Sequence, residues 1–163
     1  MKEFSNSEDL RGQLEKGIET IARNVASTLG PKGRTVILHQ KDRMPIATKD
    51  GVTVAKFIDL DHPFQNAGAQ IVKQAAEKTN QEAGDGTTTT TVLTYAMYRE
   101  AQKYLASGAA PVELKKGMDL AVDYLVNQIK DDSTPIKSID DIQSIATISA
   151  NGDKVIGRLI AKA

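Results

Sequence analysis

Apolar residues recur along the opening segment at four- and three-residue steps: Leu10, Leu14, Ile18, Ile21, Val25 and Leu29. A stripe of this period predicts an amphipathic helix. Ser5-Asn6-Ser7-Glu8 has the Ser-x-x-Glu form of a capping box at its start. Gly30-Pro31 closes it, because glycine suits the left-handed residue past a helix and proline cannot continue one. The pattern then turns β-branched and apolar over residues 35–39, runs through a turn at Lys41-Asp42-Arg43-Met44-Pro45, and returns over residues 46–48. That is the signature of a hairpin. Asp50 is placed to cap a short helix from Val52 to Phe57.

Three longer helical patterns follow. Residues 63–82 carry Phe64, Ala67, Ile71, Val72 and Ala75 on one face, and residues 86–106 carry Leu93, Met97, Ala101, Tyr104 and Leu105. Gly108 stops the second, and Pro111 opens the third at the first helical position, where its missing N–H costs nothing. That helix runs to about Lys130, with Leu114, Met118, Ala121, Val122, Leu125 and Ile129 expected in the core. From Asp131 the texture changes to a connector, residues 131–135. Ser138-x-x-Asp141 opens a shorter helix, residues 148–152 break it, and a last helix starts near Asp153 and stops in mid-pattern. The fold class is therefore mainly α, with one small β-hairpin.

Composition narrows the function. The 163 residues hold 21 Lys+Arg and 21 Asp+Glu, and this neutral balance argues against nucleic acid or an anionic membrane as partner. Aromatics are scarce and Trp is absent, so base-stacking platforms are not evident. The absence of Cys removes disulfides and thiolate chemistry, and it fits a reducing, cytoplasmic setting. His39 and His62 are too scattered for a metal cluster. No apolar run has the length of a membrane span, and the first residues have no signal-peptide core.

The most informative stretch is Ala83-Gly84-Asp85-Gly86-Thr87-Thr88-Thr89-Thr90-Thr91. Glycines permit tight approach and positive φ. A helix beginning at once offers unpaired N–H groups and partial positive charge to an anion. Asp85 repels a bare phosphate but suits one carrying Mg²⁺, which takes carboxylate and phosphate oxygens together. The alternative is a helix N-capped by Asp85 with solvated threonines. Threonine is a mediocre helix former, so an unbroken run of five asks for a reason. A P-loop is excluded, because residues 30–35 lack the Gly-Lys-Ser/Thr ending and follow a helix rather than a strand.

Two further loops carry polar residues: Thr28-Leu29-Gly30-Pro31-Lys32-Gly33-Arg34 and Thr48-Lys49-Asp50-Gly51. Together with Gly68-Ala69-Gln70-Ile71-Val72-Lys73, the threonine turn and Ile148-Ser149-Ala150-Asn151-Gly152-Asp153, this ordered set resembles the group I chaperonins, the GroEL type. The resemblance runs from about Glu8 to Ala163. It implies an ATP-driven protein-folding machine built of homo-oligomeric rings. Residues 1–131 would be the amino-terminal half of a helical equatorial, ATP-binding domain, and residues 132–163 the start of an intermediate domain.

By motif, the resemblance has Thr28, Leu29, Gly30 and Pro31 line the nucleotide, with Lys49 near its phosphates. Asp85 would bind Mg²⁺, and Gly86, Thr87, Thr88 and Thr89 would hold phosphate oxygens. Thr28 and the Lys49 carbonyl would flank K⁺, and Asp50 would act on the attacking water. Thr90 stands where the family commonly has alanine, and Gly152 where it commonly has serine. The apical domain that grips non-native client proteins and a co-chaperonin lid would lie outside this length, as would the returning half of the equatorial domain. Little or no turnover is expected of these residues alone. An alternative is a short, non-enzymatic interaction module that joins rings of full-length subunits.

Overall fold

A computed structural model describes residues 7–30 and 32–163. The capping box read at Ser5 and the candidate ligand Pro31 lie outside the described residues. The elements run α1 (Ser7–Ala26), β1 (Val36–Leu38), β2 (Ile46–Thr48), α2 (Gly51–Phe57), α3 (Pro63–Ala83), α4 (Thr87–Ala106), α5 (Pro111–Asp132), α6 (Ile139–Ser149) and α7 (Lys154–Lys162). Seven helices and one hairpin among the described residues match the mainly α expectation. The chain divides into two compact units, Met1–Gly108 and Ala109–Ala163.

In the first unit, α1, α2, α3 and α4 pack around one core. Ile18, Ile21 and Val25 of α1, Leu38 of β1, Val54 and Ala55 of α2, and Ala69 and Val72 of α3 are buried together. Val36, Phe57, Tyr95 and Tyr98 lie against them. The expected α1 stripe is therefore core at Ile18, Ile21 and Val25, with Leu10 and Leu14 half-buried and Leu29 47% exposed. The helix stops at Ala26, earlier than the apolar period, because hydroxyls turn back on it. Ser27 Oγ donates to the Asn24 carbonyl at 2.6 Å, and Thr28 Oγ1 and N both donate to the Val25 carbonyl.

The α3 face differs from the one its largest residues suggest. Gly68, Ala69, Val72, Lys73 and Ala76 are buried, while Ala67 and Ile71 are exposed. Close packing explains the choice: a β-carbon on Gly68 would strike the Leu14 carbonyl, and one on Gly17 the Gln65 carbonyl. The helices approach backbone to backbone, which selects the small residues.

Helix α4 is also turned from its expected face. Thr87 and Thr91 are buried, with Tyr95 and Tyr98 continuing the same ridge, whereas Leu93, Met97 and Tyr104 are exposed. The threonines fit a helix because they satisfy themselves: Thr91 Oγ1 donates to the Thr87 carbonyl and Thr94 Oγ1 to that of Thr90. A buried Thr91 thus behaves as a small hydrophobe.

The hairpin is antiparallel, with Val36 opposite Thr48 and Leu38 opposite Ile46. This register sets the start of β1, just after the 28–34 loop, beside the end of β2, just before Lys49 and Asp50.

In the second unit, α6 and α7 pack on each other, and a β-carbon on Gly157 would strike Thr147. Ser138 and Asp141 form the expected capping box. The Asp141 carboxylate accepts from the Lys137 and Ser138 N–H groups, both at 3.0 Å. Asp153 caps α7 through the Val155 and Ile156 N–H groups. The expected core face of α5 is overturned. No residue of α5 is buried; Leu114 and Met118 are half-buried, and Ala121, Val122, Leu125 and Ile129 are exposed. Within this unit neither α6 nor α7 packs extensively along the helix.

Candidate functional site

The threonine turn is built from two left-handed glycines around one acid. Gly84 (φ 73°) terminates α3, its N–H donating to the Asn80 carbonyl. Gly86 (φ 85°) is the N-cap of α4. An L side chain is strained at such φ values, so glycine is required at both. Asp85 does not cap α4; its Oδ1 accepts from the Gly86 N–H at 2.6 Å. The N-cap residue Gly86 has no side chain to bond the first turn of α4. The N–H groups of Thr87, Thr88 and Thr89, in the first turn, have no partner within the helix, and Gly86 adds no side chain to screen them.

Asp50 opens α2. One carboxylate oxygen accepts from the Val52 N–H at 3.2 Å, the other from the Thr53 N–H at 3.0 Å and the Thr53 hydroxyl at 2.6 Å. The Asp50 N–H donates in turn to Thr48 Oγ1 at 3.0 Å. The acid is thus fixed in direction by its own helix. Lys49, beside it, is exposed.

The loop after α1 closes on itself. Gly33 N–H donates to the Gly30 carbonyl at 2.9 Å and Arg34 N–H to the Ser27 carbonyl at 2.8 Å, with Gly30 at φ 74°. Because the Thr28 hydroxyl proton is committed to the Val25 carbonyl, its oxygen lone pairs remain the part available to a cation.

Gly51 joins the three segments. A β-carbon on Gly51 would strike Thr88 Oγ1 and come within 3.2 Å of both Thr88 Cβ and Val25 Cγ1. The end of α1, the start of α2 and the first turn of α4 therefore meet at one point. Thr88 is half-buried there and Thr87 buried, while Leu29, Gly30, Lys49, Asp50, Asp85 and Thr89 lie on the surface. Three residues escape a reading of the sequence. Gly51 looks like an ordinary turn closer, Thr53 like a helix residue, and Thr79 like part of a polar face; the parts of Gly51 and Thr79, which bonds Thr90 of α4, depend on which helices meet. For Thr53, the Asp-x-x-Thr spacing is a usable signal of a hydroxyl returning to the cap.

Similar folds occur among solved structures. A group III chaperonin in the open state superposes with a TM-score of 0.78 at 28% identity, over 96% of this chain and 31% of that one. The gp146 chaperonin from the bacteriophage EL 2 (Pseudomonas aeruginosa), crystallised in the presence of ATP-BeFx, superposes with a TM-score of 0.79 at 27% identity, over 94% of this chain and 27% of that one. The chain thus spans under a third of the length of these neighbours. The model of the TCP-1/cpn60 chaperonin family matches residues 21–163. Motif order, helical fold and these likenesses agree, and the chain belongs to the TCP-1/cpn60 chaperonin family.

Proposed function

We propose that this chain carries the phosphate and magnesium half of an ATP site in a chaperonin subunit of the group I type. The observation that supports it is the convergence of the α1 end, the α2 start and the first turn of α4 at Gly51. Bound magnesium would supply charge neutralisation between nucleotide and protein. Asp85 is the carboxylate placed to hold it, and Gly86 leaves the backbone open to phosphate oxygens. The N–H and hydroxyl groups of Thr87, Thr88 and Thr89 bind those oxygens. Thr28, Leu29, Gly30 and Pro31 line the nucleotide. Lys49 offsets negative charge on the phosphates, and its carbonyl with Thr28 Oγ1 suits K⁺.

Asp50 orients the attacking water. Its two oxygens offer about four lone-pair sites. Three are used on α2, which holds the carboxylate in one direction and leaves capacity for a water hydrogen. Phosphoryl transfer asks mostly for positioning and charge stabilisation, so this sparse set is chemically adequate.

The domain assignment follows the same reading, with residues 1–131 equatorial and 132–163 the start of an intermediate domain. In a complete homo-oligomeric ring in the cytoplasm, hydrolysis would be coupled to refolding of non-native proteins under a co-chaperonin lid.

Calorimetric titration of the purified chain with ATP, with and without Mg²⁺, tests the reading. Magnesium-dependent binding that Asp85→Asn weakens at least tenfold is expected, with little or no steady-state phosphate release. Binding indifferent to both magnesium and Asp85 refutes it.

A further inference from the structure

We infer that Thr79 and Thr90 form a positioning pair that sets the direction of the α4 N-terminus; this rests on reading that turn as phosphate-binding. Their hydroxyl oxygens lie 2.9 Å apart, joining the last turns of α3 to the first of α4. Thr79 Oγ1 donates to the Ala75 carbonyl at 3.1 Å, and a hydroxyl has one proton. Either hydroxyl can donate across the pair; where Thr79 gives its proton to Ala75, Thr90 donates to Thr79, making a chain from α4 through Thr79 into the α3 backbone.

Thr79 also faces the other side of the turn. Its Cγ2 is the nearest atom to the place a side chain would take on Gly86, at 3.7 Å. One residue of α3 therefore lies beside the N-cap of α4 and bonds the residue one turn further on. Thr90 itself is held on both sides, its N–H donating to the Gly86 carbonyl at 2.9 Å and its carbonyl accepting from Thr94 Oγ1 at 2.8 Å. The contrast within the run is instructive. Thr91 turns its hydroxyl back on its own helix, whereas the Thr90 hydroxyl bonds a neighbouring helix. Gly84 and Gly86, both left-handed, leave the short link between α3 and α4 with little stiffness of its own. The hydroxyl pair supplies what the glycines give up, and anion binding at a helix end is sensitive to small errors of aim.

The test uses the full chain with Thr79→Val and Thr90→Val, which keep shape and remove the hydroxyl, and Thr90→Ser, which restores it. Affinity for Mg-ATP is read by calorimetry and stability by thermal melting. Each valine variant is expected to weaken Mg-ATP binding about 3- to 10-fold, the scale of one lost hydrogen bond. The double valine variant is expected to bind about as the weaker single one, since both changes break the same link. Thr90→Ser is expected within about twofold of the parent. A lowered melting point with unchanged affinity in both valine variants makes the pair merely structural and overturns the inference. Equal loss in Thr90→Ser and Thr90→Val also overturns it. A parent that binds no Mg-nucleotide removes the phosphate reading and this pair's role together, whereas a parent that binds while every variant matches it sinks the positioning role alone.

Discussion

Gly51 and Thr88 meet with no room for a β-carbon between them, so that one carbon added at Gly51 would run into the Thr88 hydroxyl. Gly51 is not among the glycines with positive φ, so it is there for space rather than for conformation. The start of α2 can approach the first turn of α4 because this position carries no side chain.

Replacing Gly51 by alanine is therefore expected to destabilise the fold by about 1–3 kcal/mol, the usual cost of overpacking. Thr88→Ala in the same background should return part of that loss, because it removes the struck atom. Urea unfolding of the single and double variants measures both. An additive pair would show that the two residues do not share this contact.

A pair of interior glycines and one exposed one separate space from propensity. Alanine at Gly12, with nothing within 4 Å, should stabilise α1 by about 0.5–1 kcal/mol through helix propensity alone. Alanine at Gly17 or Gly68 gains the same propensity but sets its β-carbon on a backbone carbonyl of the facing helix. There the steric term wins, and a net loss of about 1–3 kcal/mol is expected. Thermal melting of the three variants gives the signs directly.

Asp50 caps α2, and substitution separates that part from the water-positioning role proposed for it. Asp50→Ala removes the α2 cap and is expected to lose about 1 kcal/mol, while Asp50→Asn keeps a good capping acceptor and loses little. The same Asp50→Asn change, placed in a complete ring, should lower ATP turnover while leaving nucleotide affinity close to the parent. Parallel loss of affinity would show that Asp50 serves binding rather than the water.

Asp141 gives a pH dependence of known sign. The Lys137 N–H, then the Ser138 side chain and N–H, hold its carboxyl below the ordinary aspartate value. A group depressed in the folded state adds stability that is complete above the unfolded pKa and is lost as pH falls through the folded one. The α6 capping contribution should thus persist through neutral pH and disappear only below about pH 4. Carboxyl-carbon titration by NMR should give a midpoint below that of an unstructured aspartate, and Asp141→Asn should flatten the acid limb of helicity in the second unit.

Much of the chain was legible before any coordinates. Gly84, Gly86, Gly108 and Pro111 mark helix ends through backbone sterics, which act locally. The capping box of α6 was readable for the same reason, since Ser138 and Asp141 satisfy each other within one turn. Less legible was which face each helix buries. Large apolar residues at helical spacing pointed to Ile71, Leu93 and Ile129, all exposed, while Gly68 and Thr91 are buried.

What the amino-acid order determined by itself was the identity and place of the helices and hairpin, and the glycine-flanked turn around Asp85. Those properties arise from neighbours a few residues apart. Only the tertiary structure decided that Val25, Gly51 and Thr88 share one point, that Thr90 reaches Thr79, and that α3 presents its small face to α1. The physical reason is that interhelical distance is set by the bulk on both helices at once. The preference of one segment says nothing of the space its partner leaves.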